Sequence, residues 1–438
     1  MDALVLLSRC VFLAAAAILL VYAVRHYLFS FFRLKLTRPE DYSETEGFQL
    51  PSLSVIVPMH KEEAVAPDIL RALIDSDYDP ALLEILAVND RSSDGTGQVI
   101  ADFAAQYPMV RALDRLEGRG GKPAALKFAT EHAHGEVIVI FDADYIPGPA
   151  ILKMLVAPFA DAQVAAVMGR VVPSNAHDSL MSGLLSLERA AGYQVNQQAR
   201  FGLGLTPQFG GTVGGVRASA LAAVGGWNTE SLTEDTDLTC RLVLAGWRVS
   251  YVNHAECYEQ VPQTWEVRRA QLRRWVIGHN ECFHRFGLRV LRAPHLSIPE
   301  RLDLFLVLAC YWTAPVMVAG WVASIPLFLS GHALPSDAAI LALLVISCQT
   351  FSSQATLLEM AAACFLDLEV ARALLLPLSL LNFAASTGAV CSALTTFYIR
   401  RGRGQGFTWD KTIRYQTGRH ANGNGNGAGN PGNGDAKR

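Results

Sequence analysis

The apolar residues of this 438-residue chain are gathered in two blocks, and that distribution constrains its architecture more than any single motif. One block covers residues 4–24 and the other covers residues 302–398, whereas residues 50–290 have the composition of a globular domain. An α-helix needs about 20 consecutive apolar residues to cross the hydrocarbon core of a bilayer. The sequence therefore predicts a globular domain, residues 50–290, inserted between membrane segments.

The first apolar block is followed at once by Arg25, His26, aromatic residues and further basic residues up to Arg38. Basic residues beside a span favour the cytoplasmic side of the membrane. This flank favours a retained anchor over a cleaved signal peptide. We therefore expect residues 1–40 to be an N-terminal anchor with a basic flank, and the globular domain to be cytoplasmic.

The second apolar block, within residues 300–400, divides into segments 302–330, 338–365 and 373–398. A basic run, Arg400-Arg401-Gly402-Arg403, follows the third segment and favours the cytoplasmic side. Three spans after a cytoplasmic domain would instead end outside, so we expect one segment to lie in the membrane interface. Glu359 makes the middle segment suspect, because an unpaired acid in lipid is costly. The sequence thus predicts a multi-pass protein of the inner (plasma) membrane.

The globular stretch alternates between strand and helix patterns. Strands are predicted at 53–57, 84–88, 137–141, 164–168 and 248–252, and helices between them, for example at 65–76 and 98–107. Such alternation predicts βαβ units, and therefore an α/β fold with a mixed, mainly parallel sheet. Residues 401–420 would form a cytoplasmic tail, and the Asn/Gly-rich residues 421–438 are predicted to be disordered.

Charge excludes one class of partner. The formal net charge is −3, and the sequence contains no basic stripe. Nucleic-acid binding proteins carry such a stripe to neutralise phosphates. The sequence therefore predicts no nucleic-acid partner.

Two carboxylates follow the apolar run at 137–141. Asp142 and Asp144 are two residues apart, so in extended backbone they point to the same side. Open α/β sheets bind ligands at the carboxyl ends of their strands. Hard oxygen ligands suit Mg²⁺ or Mn²⁺ shared with a substrate phosphate. The alternative is an ordinary turn, in which Asp is common.

Two further segments are candidates for nucleotide binding. Asp90 ends a predicted strand and could accept a hydrogen bond from a base or ribose, whereas Asp94 suits a helix cap. Gly118-Arg119-Gly120-Gly121-Lys122-Pro123 opens a predicted helix at 124–130, so Lys122 and the helix N-terminus could hold a diphosphate. The alternative for this segment is a solvated loop.

Three acids crowd the sequence Thr233-Glu234-Asp235-Thr236-Asp237 before a predicted helix at 238–245. Thr233 suits an N-cap, and acids complement the first turn of a helix. Capping does not account for three acids, so one of them is a candidate general base for a sugar hydroxyl.

A last candidate group lies in an Arg-rich predicted helix. Gln271, Arg274 and Trp275 are three and four residues apart and so share one face. The cation could hold a diphosphate while the indole packs against a sugar ring. The alternative is a surface helix with a buried Trp.

In their order, these motifs resemble the inverting family 2 glycosyltransferases. The order is Asp90, then Asp142-x-Asp144, then Thr233-Glu234-Asp235, then Gln271-x-x-Arg274-Trp275. More narrowly, the chain resembles their membrane-embedded branch, which includes cellulose, chitin and hyaluronan synthases, plant glucomannan synthases and bacterial glycolipid glucosyltransferases. The resemblance covers about residues 50–285 and implies a nucleotide-sugar-binding sheet of the GT-A type.

The resemblance also implies a role for each candidate residue. Pro58 and Asp90 would line the nucleoside pocket, and Lys122 would lie near the uracil or diphosphate. Asp142 would contact the ribose and a Mg²⁺ or Mn²⁺ ion, and Asp144 would ligate that ion. Asp235 would be the catalytic base. The remaining residues would hold the diphosphate and the acceptor end, namely Gln271, Arg274 and Trp275.

The implied activity is transfer of glucose or N-acetylglucosamine from a UDP-sugar, with inversion, to a growing polysaccharide. The alternative is transfer of one or a few sugars to a lipid such as diacylglycerol. A polymer would require an export partner that the sequence does not identify, because the membrane part is small for a channel. A third hypothesis, a catalytically silent membrane partner, is disfavoured because every expected acid is present. Residues 409–414 resemble a tail motif of hyaluronan-type synthases.

Overall fold

The computed structural model describes residues 2–35, 49–118, 120–330 and 352–405. Eight strands within them form one sheet in the order β3-β2-β1-β4-β7-β6-β8-β5. The strands are β1 (Leu53–Met59), β2 (Leu83–Asp90), β3 (Val110–Arg115), β4 (Val137–Ile140), β5 (Ile146–Pro147), β6 (Val164–Pro173), β7 (Gly214–Arg217) and β8 (Arg248–Glu259).

The sheet is mixed and mainly parallel, as the alternation of strands and helices predicts. β1 pairs in parallel with both β2 and β4, β2 pairs in parallel with β3, and β6 pairs in parallel with β8. β7 lies antiparallel between β4 and β6, and β5 lies antiparallel to β8. All five predicted strands are present, and the fold class is confirmed.

The helices cover both faces of this sheet and continue into the two apolar blocks. They are α1 (Asp2–Lys35), α2 (Ala66–Ile74), α3 (Thr96–Gln106), α4 (Lys122–Thr130), α5 (Ile151–Val156), α6 (Leu180–Ala190), a π-helix (Ala191–Gln197), α7 (Gln198–Gly202), α8 (Ala218–Ala223), α9 (Glu234–Leu244), α10 (Trp265–Leu291), α11 (Ile298–Leu308), α12 (Thr313–Leu329), α13 (Ser352–Leu366) and α14 (Leu376–Gly402).

The sheet has a separate hydrophobic core on each face. One core is formed with α2, α3 and α5, and the other with α4, α8, α9 and α10. Strands that are buried on both faces are nearly continuous apolar runs, and the four residues of β4 are all buried. β4 emerges from the buried core at its carboxyl end, and the polar side chains of Asp142 and Asp144 follow there.

Three helices among the described residues are long and apolar enough to cross a membrane: Ala3–Lys35, Cys310–Leu329 and Val370–Gly402. The predicted segment at 302–330 is wrong as a single element, because α11 ends at Leu308 and a 3-10 turn separates it from α12. Asp303 on α11 is buried and accepts a 2.6 Å hydrogen bond from Arg25 on α1. α11 therefore packs against the base of the first candidate span.

Glu359, the acid that makes the middle segment suspect, is paired. Its Oε1 lies 2.8 Å from His26 Nδ1 on α1, and the amide of Asn196 in the π-helix donates to it at 3.4 Å. Only 3% of its surface is exposed. α13 thus makes polar contacts both with α1 and with the wall of the globular domain.

α14 runs alongside the globular domain for much of its length. Near its start, the Asn382 amide donates to Glu188 on α6 at 2.6 Å. Near its end, the Tyr398 hydroxyl lies 2.8 Å from His284 Nε2 on α10. These two contacts are about 24 Å apart along the helix axis. A helix that crossed a bilayer would carry one of these ends away from the domain.

Some sequence predictions lie outside the described residues. These are the part of the segment 338–365 up to residue 351, the motif at 409–414, and most of the tail at 401–438. The division into domains at 1–40, 50–290, 300–400, 401–420 and 421–438 stays a prediction.

Candidate active site

A cavity of about 850 Å³ lies at the carboxyl ends of β1, β2 and β4. The nine residues to which the resemblance gives a role all line this cavity, although they come from six separate segments. They are Pro58, Asp90, Lys122, Asp142, Asp144, Asp235, Gln271, Arg274 and Trp275. The parallel sheet explains this convergence, because its strands end at one edge.

Asp142 and Asp144 follow β4 directly, where the buried strand emerges into the cavity. Lys122, the first residue of α4, places its Nζ 2.6 Å from Asp142 Oδ1. Burial by itself would lower the pKa of Lys122, but the carboxylates of Asp142, Glu234 and Asp235 outweigh it, and the pKa is raised. Lys122 therefore stays a cation among these acids.

The two carboxylates fit a divalent ion only with additional ligands. Asp142 is partly exposed to the cavity and Asp144 is 8% exposed, so both offer hard oxygens at its edge. The described residues contain no group of three or more His, Cys, Asp and Glu that could hold a metal by itself. Mg²⁺ commonly completes such a site with water and substrate phosphates. The donor set thus suits an ion that arrives with a diphosphate.

Asp90 ends β2 and is almost fully buried. Its carboxylate pairs with Arg115 at 2.8 Å and with Arg91 at 3.0 Å, and it accepts a 3.4 Å hydrogen bond from the Gly121 N–H. Gly121 has a φ of +116°, which favours glycine, and it caps α4. Asp90 therefore holds the start of α4, and with it Lys122, in place.

The three acids of α9 have different surroundings. Asp237 is 1% exposed, pairs with Arg241 and Arg285, and does not line the cavity. Glu234 and Asp235 do line it. Burial, and then the neighbouring Asp235 charge, raise the pKa of the Glu234 carboxyl. Two of the three acids thus face the cavity, and the third makes structural ion pairs with Arg241 and Arg285.

Thr233 precedes α9 as predicted, but the expected side-chain cap is absent. The helix begins at Glu234, and no side-chain capping bond is made by Thr233. Its hydroxyl lies 3.7 Å from Cys282 Sγ on α10 instead. A Cβ at Gly278 would lie 2.5 Å from a Thr233 methyl carbon. The side chain is therefore used for the close crossing of α9 and α10, which brings Asp235 to the same cavity as Gln271.

Gln271, Arg274 and Trp275 share one face of α10, as their spacing predicts, and all three line the cavity. The Arg189 guanidinium lies over the Trp275 ring at 5.2 Å from its centroid. Arg189 in turn pairs with Glu259 Oε1 at 2.6 Å. The indole is thus held by a cation–π contact and is not simply a buried core residue.

Sequence reasoning missed the end of β8. The predicted strand ends at residue 252, whereas β8 continues to Glu259, and Glu259 and Gln260 both line the cavity. Glu259 also accepts a 2.7 Å hydrogen bond from the Tyr145 hydroxyl, next to Asp144. The rule that polar residues follow strand ends would have found Glu259, had the strand been extended.

The π-helix was also missed, and the sequence gives little signal for it. It supplies four lining residues, namely Gly192, Tyr193, Asn196 and Gln197. π-Helical turns are rare and often occur at functional sites. Neighbouring positions of its widened turn contact both the cavity and the apolar helix α13, as the hydrogen bond from Asn196 to Glu359 illustrates.

Three residues close the cavity on the side of the apolar helices: Arg200, His279 and Tyr311. Arg200 lies 3.3 Å from Asp303 Oδ2. Burial is the main reason that its pKa is lowered to about 10. Burial also lowers the pKa of His279, against the opposing Asp235 charge, so the imidazole is neutral at neutral pH. Its ring meets Tyr311 edge-on at 5.4 Å.

The cavity at the strand ends, the paired carboxylates and the shared face of Arg274 and Trp275 agree with the resemblance to family 2 glycosyltransferases. The model of the family described as "Glycosyltransferase like family 2" matches residues 51–278. This chain therefore belongs to glycosyltransferase family 2, and the resemblance drawn from the motifs is confirmed.

Individual relatives agree with this membership. A probable glycosyltransferase, YdaM of Bacillus subtilis, is 30% identical over 267 residues, which cover 60% of this chain and 63% of that protein. The beta-monoglucosyldiacylglycerol synthase of Trichormus variabilis is 32% identical over 242 residues, 55% of this chain and 52% of that protein. The chain thus matches between half and two thirds of the length of these relatives.

A solved structure shows the same fold. The mannosyltransferase PcManGT from Pyrobaculum calidifontis, determined in complex with GDP-Man and Mn²⁺, superposes with a TM-score of 0.58. It is 22% identical, and the alignment covers 82% of this chain and 99% of that one. At this level of identity the likeness supports the fold alone.

Proposed function

We propose that this protein is an inverting β-glycosyltransferase that transfers a hexose from a UDP-sugar, glucose or N-acetylglucosamine, to a membrane lipid such as diacylglycerol. The observation that carries the proposal is the single cavity in which Asp142, Lys122 and Asp235 meet the face of α10. The choice of glucose or N-acetylglucosamine comes from the resemblance to the membrane-embedded family members. The similarity to the beta-monoglucosyldiacylglycerol synthase of Trichormus variabilis supports glucose as the sugar and diacylglycerol as the acceptor.

The nucleotide would bind at the strand-end side of the cavity. Pro58 and Asp90 line that side, and Lys122 and Arg274 supply positive charge for the diphosphate. Asp142 and Asp144 would hold a Mg²⁺ or Mn²⁺ ion together with phosphate oxygens. When bound, that ion would stabilise the negative charge that develops on the departing diphosphate.

Asp235 would act as the general base. The acceptor oxygen attacks the anomeric carbon as the bond from that carbon to the nucleotide diphosphate breaks, and Asp235 takes the hydroxyl proton. One displacement inverts the anomeric centre, so an α-linked donor gives a β-linked product. The Asp235 Oδ1 accepts a 2.6 Å hydrogen bond from the Thr236 N–H, which holds the carboxylate in one orientation.

The extent of the cavity favours a lipid acceptor over a polymer. Among the described residues, its lining comes from the globular domain and from Tyr311, at the start of the second candidate span. No described residue of α1, α12, α13 or α14 lines it. A lipid needs only to bring one hydroxyl to this end, whereas a growing chain needs a passage that continues between the helices.

Transfer to a growing polysaccharide is the second candidate. The observation that favours it is Trp275, whose ring is held against the cavity by Arg189. An indole in this place suits contact with the terminal sugar of a polymer, as the resemblance to cellulose and hyaluronan synthases implies. In that case an export partner would be needed.

We propose a membrane topology with the catalytic domain in the cytoplasm, based on the contacts of α14 with α6 and α10. α1, α12 and the apolar segment that the sequence predicts at 338–365, of which residues 338–351 lie outside the described residues, would cross the inner membrane, and α14 would lie in its interface. This arrangement returns the basic residues Arg400, Arg401 and Arg403 to the cytoplasmic side, in line with the charge rule. The interfacial segment would then be the third one, not the one that contains Glu359.

The proposal is tested with the full-length protein in lipid nanodiscs that contain diacylglycerol. It is incubated with Mg²⁺ or Mn²⁺ and, in separate reactions, with labelled UDP-glucose, UDP-N-acetylglucosamine and GDP-mannose. We expect label from a UDP-sugar to migrate with the lipid fraction on a chromatogram. Label that stays at the origin and is released by a β-glucan or chitin hydrolase would instead support the polysaccharide candidate.

The Asp235→Asn protein serves as the control in the same assay. Loss of transfer with retained UDP binding is expected for a general base. Activity equal to the wild type would remove Asp235 from the mechanism. Inactive wild-type protein with every donor would favour the silent membrane partner.

A further inference from the structure

Arg268, on α10, lies against the residues proposed to hold the acceptor but does not itself line the cavity. Its Nη1 donates to Gln271 Oε1 at 2.9 Å, and its guanidinium lies 5.4 Å from the centroid of the Trp275 ring. Its Nη2 donates to Glu188 Oε2 on α6. One planar group thus contacts three side chains at once, for which the fixed fork of arginine is better suited than the compact ammonium of lysine.

Burial makes this arrangement rigid. Arg268 is 6% exposed, so its charge must remain paired, because an unpaired buried charge is strongly destabilising. The guanidinium therefore cannot swing into solvent without losing Glu188. Gln271 and Trp275 are consequently tied to a group whose own position is fixed.

Glu188 extends the connection to α14. Its second oxygen, Oε1, accepts a 2.6 Å hydrogen bond from the Asn382 amide, and Asn382 is 5% exposed. Both oxygens of one carboxylate are thus used, one for Arg268 on α10 and one for α14. A displacement of α14 along the globular domain would move Glu188 and, through it, Arg268.

We propose that Arg268 is a positioning residue that holds Gln271 and Trp275 at the acceptor end of the cavity. We also propose that α14 determines the position of Arg268 through Asn382 and Glu188. This inference rests on the proposed function for the role of Gln271 and Trp275. With Gln271 Oε1 occupied by Arg268, the Gln271 amide nitrogen is the group that donates to a ligand. The acceptor end is then assembled only when α14 is docked.

The test compares Arg268→Gln with Arg269→Gln, its exposed neighbour on the same helix. We expect Arg268→Gln to lower kcat for sugar transfer by about tenfold or more, while the donor KM stays within about twofold. Hydrolysis of the donor by water should rise relative to transfer, because the acceptor is held less well. Arg269→Gln should match the wild type in all three quantities.

Two further variants test whether Arg268 acts through Glu188 and whether α14 contributes through Asn382. Arg268→Lys keeps the charge beside Glu188 but loses the fork, so it should restore part of the transfer rate. Asn382→Ala should give a smaller loss of the same kind, and its effect should not add to that of Arg268→Gln, because both act through Glu188. Full additivity would remove α14 from the proposal.

Hydrogen exchange of the peptide at residues 265–278 gives a readout that does not need activity. We expect faster exchange in Arg268→Gln than in Arg269→Gln, with UDP affinity unchanged in both. If Arg268→Gln showed the same transfer rate and the same hydrogen exchange as the wild type, the inference would be overturned.

Equal losses of UDP binding, thermal stability and transfer in Arg268→Gln would overturn it as well, since they indicate a merely structural residue. A difference in exchange with no transfer by any variant would leave the positioning role standing and contradict the proposed function.

Discussion

The two ends of the cavity are built in different ways. At the strand-end side, Asp90 is the last residue of β2 and Asp142 lies just beyond the end of β4. Their partners are Arg115 at the end of β3 and Lys122 at the start of α4. At the other side, the walls come from α10, the π-helix, α7 and Tyr311, and pairs such as Arg200 with Asp303 join them to α11. The first end depends on sheet register, and the second depends on how helices dock.

This difference predicts separable functions. Damage at the strand-end side should change donor and metal binding. Damage at the helical side, except at Arg274, which is proposed to hold the diphosphate, should change transfer to the acceptor with the donor still bound. A variant on one side that changed both donor binding and transfer to the acceptor would show that the two functions are not separable.

The largest effect is expected for Asp235→Asn, because it removes the proposed base without changing the shape of the site. General bases contribute on the order of 10²–10⁴-fold, so we expect kcat to fall by at least about 10²-fold. UDP affinity, measured by calorimetry, should be unchanged, since Asp235 is proposed to contact the acceptor hydroxyl and not the nucleotide. A large loss of UDP affinity would show that the two ends are not separable at this residue.

The next effect is expected for Asp144→Asn, which acts at the opposite end. Loss of one electrostatic stabiliser commonly costs on the order of 10²-fold in rate, and here the loss should appear together with weaker UDP binding in Mg²⁺ or Mn²⁺. A chelator should reproduce this phenotype in the wild type and add little in the variant. Asp161→Asn, at a partly exposed acid paired with Arg248, is the control. Equal activity with and without chelator would contradict the predicted metal site.

A third prediction concerns the helix crossing that joins the two ends. Gly278→Ala would place a Cβ 2.5 Å from Thr233, whereas Gly287→Ala on the same helix would meet Phe283 at 3.4 Å. Overpacking costs about 1–3 kcal/mol, so Gly278→Ala should lower both thermal stability and transfer. Gly287→Ala should leave both nearly unchanged. The same melting temperature for the two variants would contradict the close crossing.

The smallest effect concerns pH. Burial, and then the Asp235 charge, raise the pKa of Glu234 above its ordinary value of about 4.3. The folded state therefore binds this proton more tightly than the unfolded state, and the free energy of unfolding should fall as pH rises from about 5 to about 8. In Glu234→Gln this contribution is absent, so its melting temperature should change less over that range. The same change of melting temperature with pH in the wild type and in Glu234→Gln would contradict the raised pKa of Glu234.

The sequence predicts the strand-end side better than the helical side, for a physical reason. Asp90 and Asp142 follow apolar strands, and the rule that parallel strands end at one edge brings them together without further information. Gln271 and Trp275 share a helix face by spacing alone. The positions of Glu188, Arg189 and Tyr193 depend instead on a π-helical turn and on packing against helices far away in sequence, which no local pattern specifies.

The most direct test of the account is the identity of the product that the full-length protein forms in diacylglycerol nanodiscs with labelled UDP-glucose and UDP-N-acetylglucosamine. We predict a lipid-soluble product from one of these donors, from which a β-specific glycosidase releases the labelled sugar and an α-specific one does not. An α-linked glycolipid would contradict a single displacement with Asp235 as base. A water-soluble polymer would contradict the lipid acceptor at the helical end of the cavity.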